Sequence, residues 1–202
     1  KEVYIIPIIT KLAIDFKCLY DLKLIYSDAK LLNILFKIDP EGKIHVKLGD
    51  LGSIVNIDPM PDRDICNHAT HPIPEYRLPA GKKLYQGGYE CDTMEKSMHF
   101  LVWQLGIILI ELCGFLNKKD DFNFTRQGAL EGSFGGGFES VEKWYKHLNT
   151  QIDANTNIEN AKLKELREKI FRINDISELD IDLDGILEIL DPEGYSSGGY
   201  AD

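Results

Sequence analysis

The sequence predicts a mainly helical lobe carrying one small β-hairpin. Apolar residues recur three and four apart over several long stretches, the spacing of amphipathic helices. Two short runs of period two flank the polar stretch Asp39-Pro40-Glu41-Gly42, the pattern of a hairpin turn. The 202 residues are 44% apolar, enough to bury a single core.

The elements follow in chain order. From Tyr4 to Leu24 the residues Ile5, Ile8, Ile9, Leu12, Ala13, Phe16, Leu19 and Tyr20 line one helical face, and Pro7 suits the first turn. The hairpin takes Ile34 to Ile38 and Ile44 to Leu48. Ser53 to Ala80 carries five prolines without periodicity and reads as an extended surface loop, followed by a Gly-containing turn from Gly81 to Tyr89. Thr93 caps a helix that is apolar on nearly all sides and ends at Gly114, so it runs through the middle of the fold. Asn117 to Phe138 is polar, with Gly135-Gly136-Gly137 as a joint. Helical spacing resumes from Phe138 to Leu148, with Trp144 and Tyr145 in its core. A linker from Asp153 to Ala161, a helix from Lys162 to Ile173 and a short one from Asp184 to Leu190 complete the reading. One unit spans 1–190, and 191–202 reads as a flexible tail.

Composition narrows the partners. A net charge of -10 argues against nucleic acid or an acidic membrane, because phosphate backbones need a cationic face. The longest apolar run, Phe100 to Leu112, is too short to span a bilayer. Cys18, Cys66, Cys91 and Cys113 have no paired spacing, which points to reduced thiols and a cytoplasmic location. Cys66, His68, His71 and Cys91 lack a usual zinc spacing. Asp180, Asp182, Asp184, Gly185 and Asp191 fit the outline of a calcium loop, but Ile181 and Leu183 intervene and no exit helix follows. An acidic start to the last helix suits them better.

The chemistry concentrates between Ile25 and Ser53. Asp28, Lys30 and Asn33 precede the hairpin and Asp50 follows it, so folding the hairpin brings them together. Carboxylate and amide oxygens suit magnesium, which shares its ligands with substrate phosphates. Asp28 can accept a proton from an attacking hydroxyl, and Lys30 can neutralise a transferring phosphoryl group. The set is that of phosphoryl transfer.

Asp28-x-Lys30-x-x-Asn33, a hairpin and then Asp50-Leu51-Gly52 resembles the catalytic loop and metal-binding triplet of eukaryotic-type protein kinases. Tyr76-Arg77-Leu78-Pro79-Ala80 resembles the end of their activation segment. Val102 to Leu112 resembles the core helix of their carboxyl-terminal lobe. The resemblance implies a kinase-like carboxyl-terminal lobe lacking its amino-terminal lobe, with a catalytic loop over 26–33, a metal triplet at 50–52, an activation segment over 50–80 and a core helix at about 94–113. It implies ATP and Mg2+ as cofactors and a protein hydroxyl as acceptor. Asp28 would be the base, Lys30 its phosphate-neutralising companion, and Asn33 and Asp50 the metal ligands, with Leu35 on the nucleotide side. A lysine two residues after the base is similar to the serine/threonine branch.

The departures have consequences. Ser27 stands where the family has an arginine that holds a phosphorylated activation segment, Ala80 replaces a glutamate, and Leu101 replaces an aspartate that braces the catalytic loop. Fewer than thirty residues precede Asp28, too few for the Gly-rich loop and strand lysine of a front lobe. The resemblance therefore implies part of a longer serine/threonine kinase, inactive as this chain alone. Its partners would be a protein substrate, the front-lobe segment and a regulatory protein. The competing expectation is a catalytically silent, pseudokinase-like binding module. If the chain belongs to a pathogen, the host cytosol is its expected location.

Overall fold

The structure is a computed structural model that describes residues 4–58, 74–77, 85–88, 91–116, 141–174 and 176–196. Helix α1 spans Ile5–Asp21 and leads into β1, Leu24–Tyr26. The hairpin strands are β2, Ile34–Ile38, and β3, Ile44–Leu48, and β4, Ile54–Asn56, follows. Strands β5, Pro74–Arg77, and β6, Tyr85–Gly88, pair with each other. Then come α2, Met94–Leu116; α3, Val141–Asn155; α4, Ala161–Phe171; α5, Leu183–Leu190; and the short α6, Pro192–Ser196. The fold is mainly helical, with three two-stranded antiparallel sheets among the described residues.

Helix α2 is the centre. Every residue from Phe100 to Ile110 is buried, and α1, α4 and α5 all pack against it. Full burial of each leucine or isoleucine contributes about 1.5–3 kcal/mol, so this row is a large source of cohesion among the described residues. Gly106 permits the closest approach: a β-carbon there would sit 2.7 Å from Cγ2 of Ile170 and 3.0 Å from Cζ of Phe171, both in α4. Trp103 packs edge-on to Phe171 and to Tyr145, with centroids 5.4 and 6.1 Å apart. Buried Asn149 in α3 donates through Nδ2 to the carbonyl oxygens of Tyr145 and Phe171, tying α3 to the end of α4. By length and composition α2 could cross a bilayer, but 83% of that window is buried within the fold.

Helix α1 buries Ile5, Ile8, Ile9, Leu12, Ala13 and Phe16, the face its spacing predicts. It stops at Asp21 rather than running to Leu24, because Lys23 takes a left-handed backbone (φ 62°) that turns the chain into β1. The hairpin has the expected register, Ile34 opposite Leu48 and Ile38 opposite Ile44. Its turn closes through Asp39 and Gly42, and Gly42 needs its glycine at φ 85°.

Several expectations need correction. Ile54–Asn56 is a strand, not loop; it pairs with β1 so that Tyr26 faces Ile54 and Leu24 faces Asn56. Pro74–Arg77 and Tyr85–Gly88 form a ladder where loop and turn were expected. Helix α2 continues through Gly114 to Leu116, since a glycine costs only about 1 kcal/mol inside a helix otherwise held by packing. Helix α3 runs on to Asn155, shortening the linker to five residues, and Asn160 caps α4 by accepting from the amides of Lys162 and Leu163. Pro192–Ser196 is helical where a loose tail was expected. Cys18, exposed, and Cys113, buried, are free thiols, but Cys91 is disulfide-bonded, against the expectation of four reduced thiols. In the outline of the calcium loop, Asp182 caps α5 through the Gly185 amide at 2.8 Å and Asp184 pairs with Lys17. The Gly135 to Gly137 joint, Cys66, His68, His71 and Ala80 lie outside the described residues.

Candidate active site

Two short strand pairs hold the candidate residues. The β1–β4 ladder fixes the chain before Asp28, and the β2–β3 ladder fixes the chain between Asn33 and Asp50. The seam between them is the Gly49 amide, which donates to the Asn33 carbonyl oxygen at 2.7 Å. The backbone of Asn33 therefore lies beside the residue preceding Asp50. A side chain at Gly49 would press a β-carbon to 3.3 Å from that carbonyl, so the narrow seam suits glycine.

Within the loop, a 3-10 turn over Leu31–Asn33 folds Asn33 back over Asp28. Its Nδ2 donates to the Asp28 carbonyl oxygen at 3.0 Å and lies 3.4 Å from the Asp28 carboxylate oxygen Oδ2. With Nδ2 so engaged, the amide oxygen is the valence that Asn33 can offer a cation. Lys30 Nζ lies 2.5 Å from Asp28 Oδ2, and both side chains are partly exposed. This is a charge-assisted contact at a solvent-reachable carboxylate.

Asp50 is held in the left-handed region, φ 46° and ψ 59°. Aspartate tolerates this better than bulkier residues, and non-glycine residues in such regions cluster at functional sites. A 3-10 turn over Leu51–Ser53 follows. Leu51 and Leu35 are 61% and 60% exposed, leaving an apolar surface next to the polar cluster.

Tyr26 joins the parts. It is fully buried, and its hydroxyl donates to the Gly49 carbonyl oxygen at 2.7 Å. Burial pushes its pKa up; a hydrogen bond from Asn33 opposes this, while the charges of Asp50 and Asp28 reinforce it. Ser27 also serves the scaffold. Its amide and its Oγ both donate to the Ser53 carbonyl oxygen at 2.9 Å, closing the β1–β4 pair. The sequence alone offered no bonding partner for Tyr26. A tyrosine directly after the apolar pair Leu24-Ile25 carried a usable signal, because a buried hydroxyl needs an acceptor. Nothing comparable marked Ser27, whose acceptor depends on the unforeseen β4. Leu101, the departure in the core helix, is fully buried and supplies no polar brace.

Among the described residues no group of three or more histidine, cysteine or carboxylate side chains could hold a metal ion. The Asp50 carboxylate with the Asn33 amide oxygen suits a cation that completes its shell with phosphates and water, as magnesium does. No protein-family model matches the chain, and no curated protein matches it significantly.

Proposed function

We propose that the chain is the carboxyl-terminal lobe of a divergent serine/threonine protein kinase that transfers the γ-phosphoryl group of ATP to a protein hydroxyl. The observation that carries the reading is the joining of Asp28, Lys30 and Asn33 in one hydrogen-bonded loop across a one-residue seam from a left-handed Asp50. Asp28 accepts the proton of the acceptor hydroxyl, and Lys30, already beside that carboxylate, offsets charge on the transferring group. Asn33 and Asp50 hold magnesium, which when bound neutralises phosphate charge. Exposed Leu35 offers an apolar surface to the nucleotide base. A front-lobe segment supplies the remaining nucleotide contacts, and a protein substrate and a regulatory protein are its partners.

The test is phosphorylation of a generic protein substrate by the full-length protein beside Asp28→Ala and Asp50→Ala. Loss of transfer in both variants supports the reading, and equal phosphorylation by all three would sink it. One observation favours a second reading, a catalytically silent binding module: the Asp28 carboxylate is already engaged by Lys30 and Asn33. Calorimetric titration of the full-length protein with magnesium-ATP separates the two, since normal nucleotide affinity with turnover removes the second.

A further inference from the structure

A cavity of about 470 Å³ shares no lining residue with the Asp28–Asp50 cluster. It is bounded by the end of α1, the start of α2 and the segment 179–184 that enters α5. Part of its wall is apolar: Ile181 is almost fully buried and Met98 is half-buried. The rest is acidic, with five carboxylates, those of Asp21, Glu95, Asp180, Asp182 and Asp184, against one ammonium, that of Lys17. Lys17 is already shared between Asp184 and Asp21, at 3.2 and 3.4 Å. His99 does little to balance the remainder, because burial lowers its pKa and disfavours the charged ring, against the weaker opposite pull of Glu95.

We propose that this cavity docks an arginine side chain of a protein partner. A divalent cation is a poor occupant: among the described residues no three histidine, cysteine or carboxylate side chains form a group that could hold one, and Asp182 and Asp184 are already engaged by the Gly185 amide and Lys17. An arginine matches both halves of the wall. Its methylene stem covers Met98 and Ile181, and its planar guanidinium takes carboxylates from two separate elements, Glu95 on α2 and Asp180 on the 179–184 segment. The chain's charge of -10 draws such a partner in from a distance. The proposal stands apart from the kinase reading and uses none of its residues.

The test is calorimetric titration, with parallel NMR of the 15N-labelled chain, using an acetylated, amidated short peptide that bears two arginines among alanines. Glu95→Gln combined with Asp180→Asn removes two exposed carboxylates from the cavity and leaves the cap and the Lys17 pair in place. Glu41→Gln combined with Asp58→Asn removes the same charge elsewhere on the exposed surface. The expected result is binding weakened about tenfold or more by the first pair and little changed by the second, with amide shifts confined to the cavity wall. Absence of binding to the native chain, equal weakening by both pairs, or shifts away from Met98, His99 and Ile181 would each overturn the proposal.

Discussion

The Tyr26 hydroxyl donates to the carbonyl oxygen of Gly49 at 2.7 Å, so a β1 side chain holds the backbone immediately before Asp50. Tyr26 is fully buried, so its hydroxyl depends on this acceptor. Tyr26→Phe keeps the packing against Phe16, whose ring centroid lies 6.3 Å away, and leaves the Gly49 carbonyl without this donor. The expected cost is about 1–2 kcal/mol, read as a lower urea midpoint at unchanged m-value. An unchanged midpoint means that the hydroxyl does not anchor the loop.

Asn33→Asp tests the other anchor. The substitution replaces an amide donor to Asp28 with a carboxylate oxygen at the position that lies 3.4 Å from the Asp28 side chain. Lost bonding and like-charge repulsion together should destabilise by about 1–3 kcal/mol. If Asn33 and Asp50 hold magnesium, the extra carboxylate strengthens that site, and magnesium should raise the melting temperature of Asn33→Asp more than that of the native chain. Equal shifts in thermal denaturation would remove Asn33 from the metal site.

What could be read in advance followed the range of the interactions. The hairpin was legible because its turn, its two runs and its polar ends all lie within Ile25 to Ser53. Helix α2 was legible because a helix apolar on all sides has nowhere to go but the core. The β1–β4 pair was not, since three residues per strand give no periodicity and their pairing spans the whole hairpin. Lys23 carries no sign that it adopts a left-handed backbone, so the end of α1 was misplaced. The candidate site was legible as a set of residue types. Its cohesion was not, because Tyr26 to Gly49 and Ser27 to Ser53 are bonds to backbone carbonyls, which any sequence supplies.

Gly106→Ala probes the packing of α2 on α4. Helix propensity alone favours alanine by about 1 kcal/mol. The new methyl group would meet Ile170 Cγ2 at 2.7 Å and Phe171 Cζ at 3.0 Å, and overpacking typically costs about 1–3 kcal/mol. The clash should win, lowering the thermal midpoint. Ile170→Ala opens the same space, so a double-mutant cycle should show the two changes offsetting one another. A stabilised Gly106→Ala would mean that the helices lie farther apart.

Glu111 makes the pH dependence of the fold testable. Burial on α2 raises its carboxyl from 4.5 to about 7. Folding therefore favours the protonated form. Below pH 4.5 both folded and unfolded chains hold the proton, and the group has no charge to desolvate. Between pH 4.5 and about 7 the unfolded chain has released the proton and the folded chain still binds it, so stability falls as pH rises across this window. The full loss is at most about 3 kcal/mol and is complete above pH 7. Glu111→Gln removes the titration while keeping a side chain of similar size. The difference in unfolding free energy between the native chain and Glu111→Gln should move in favour of the variant from pH 4.5 to about 7 and stay level above that. Other carboxylates titrate in both proteins and cancel in the difference. A difference that is flat with pH would show that Glu111 ionises in the fold as readily as it does in water.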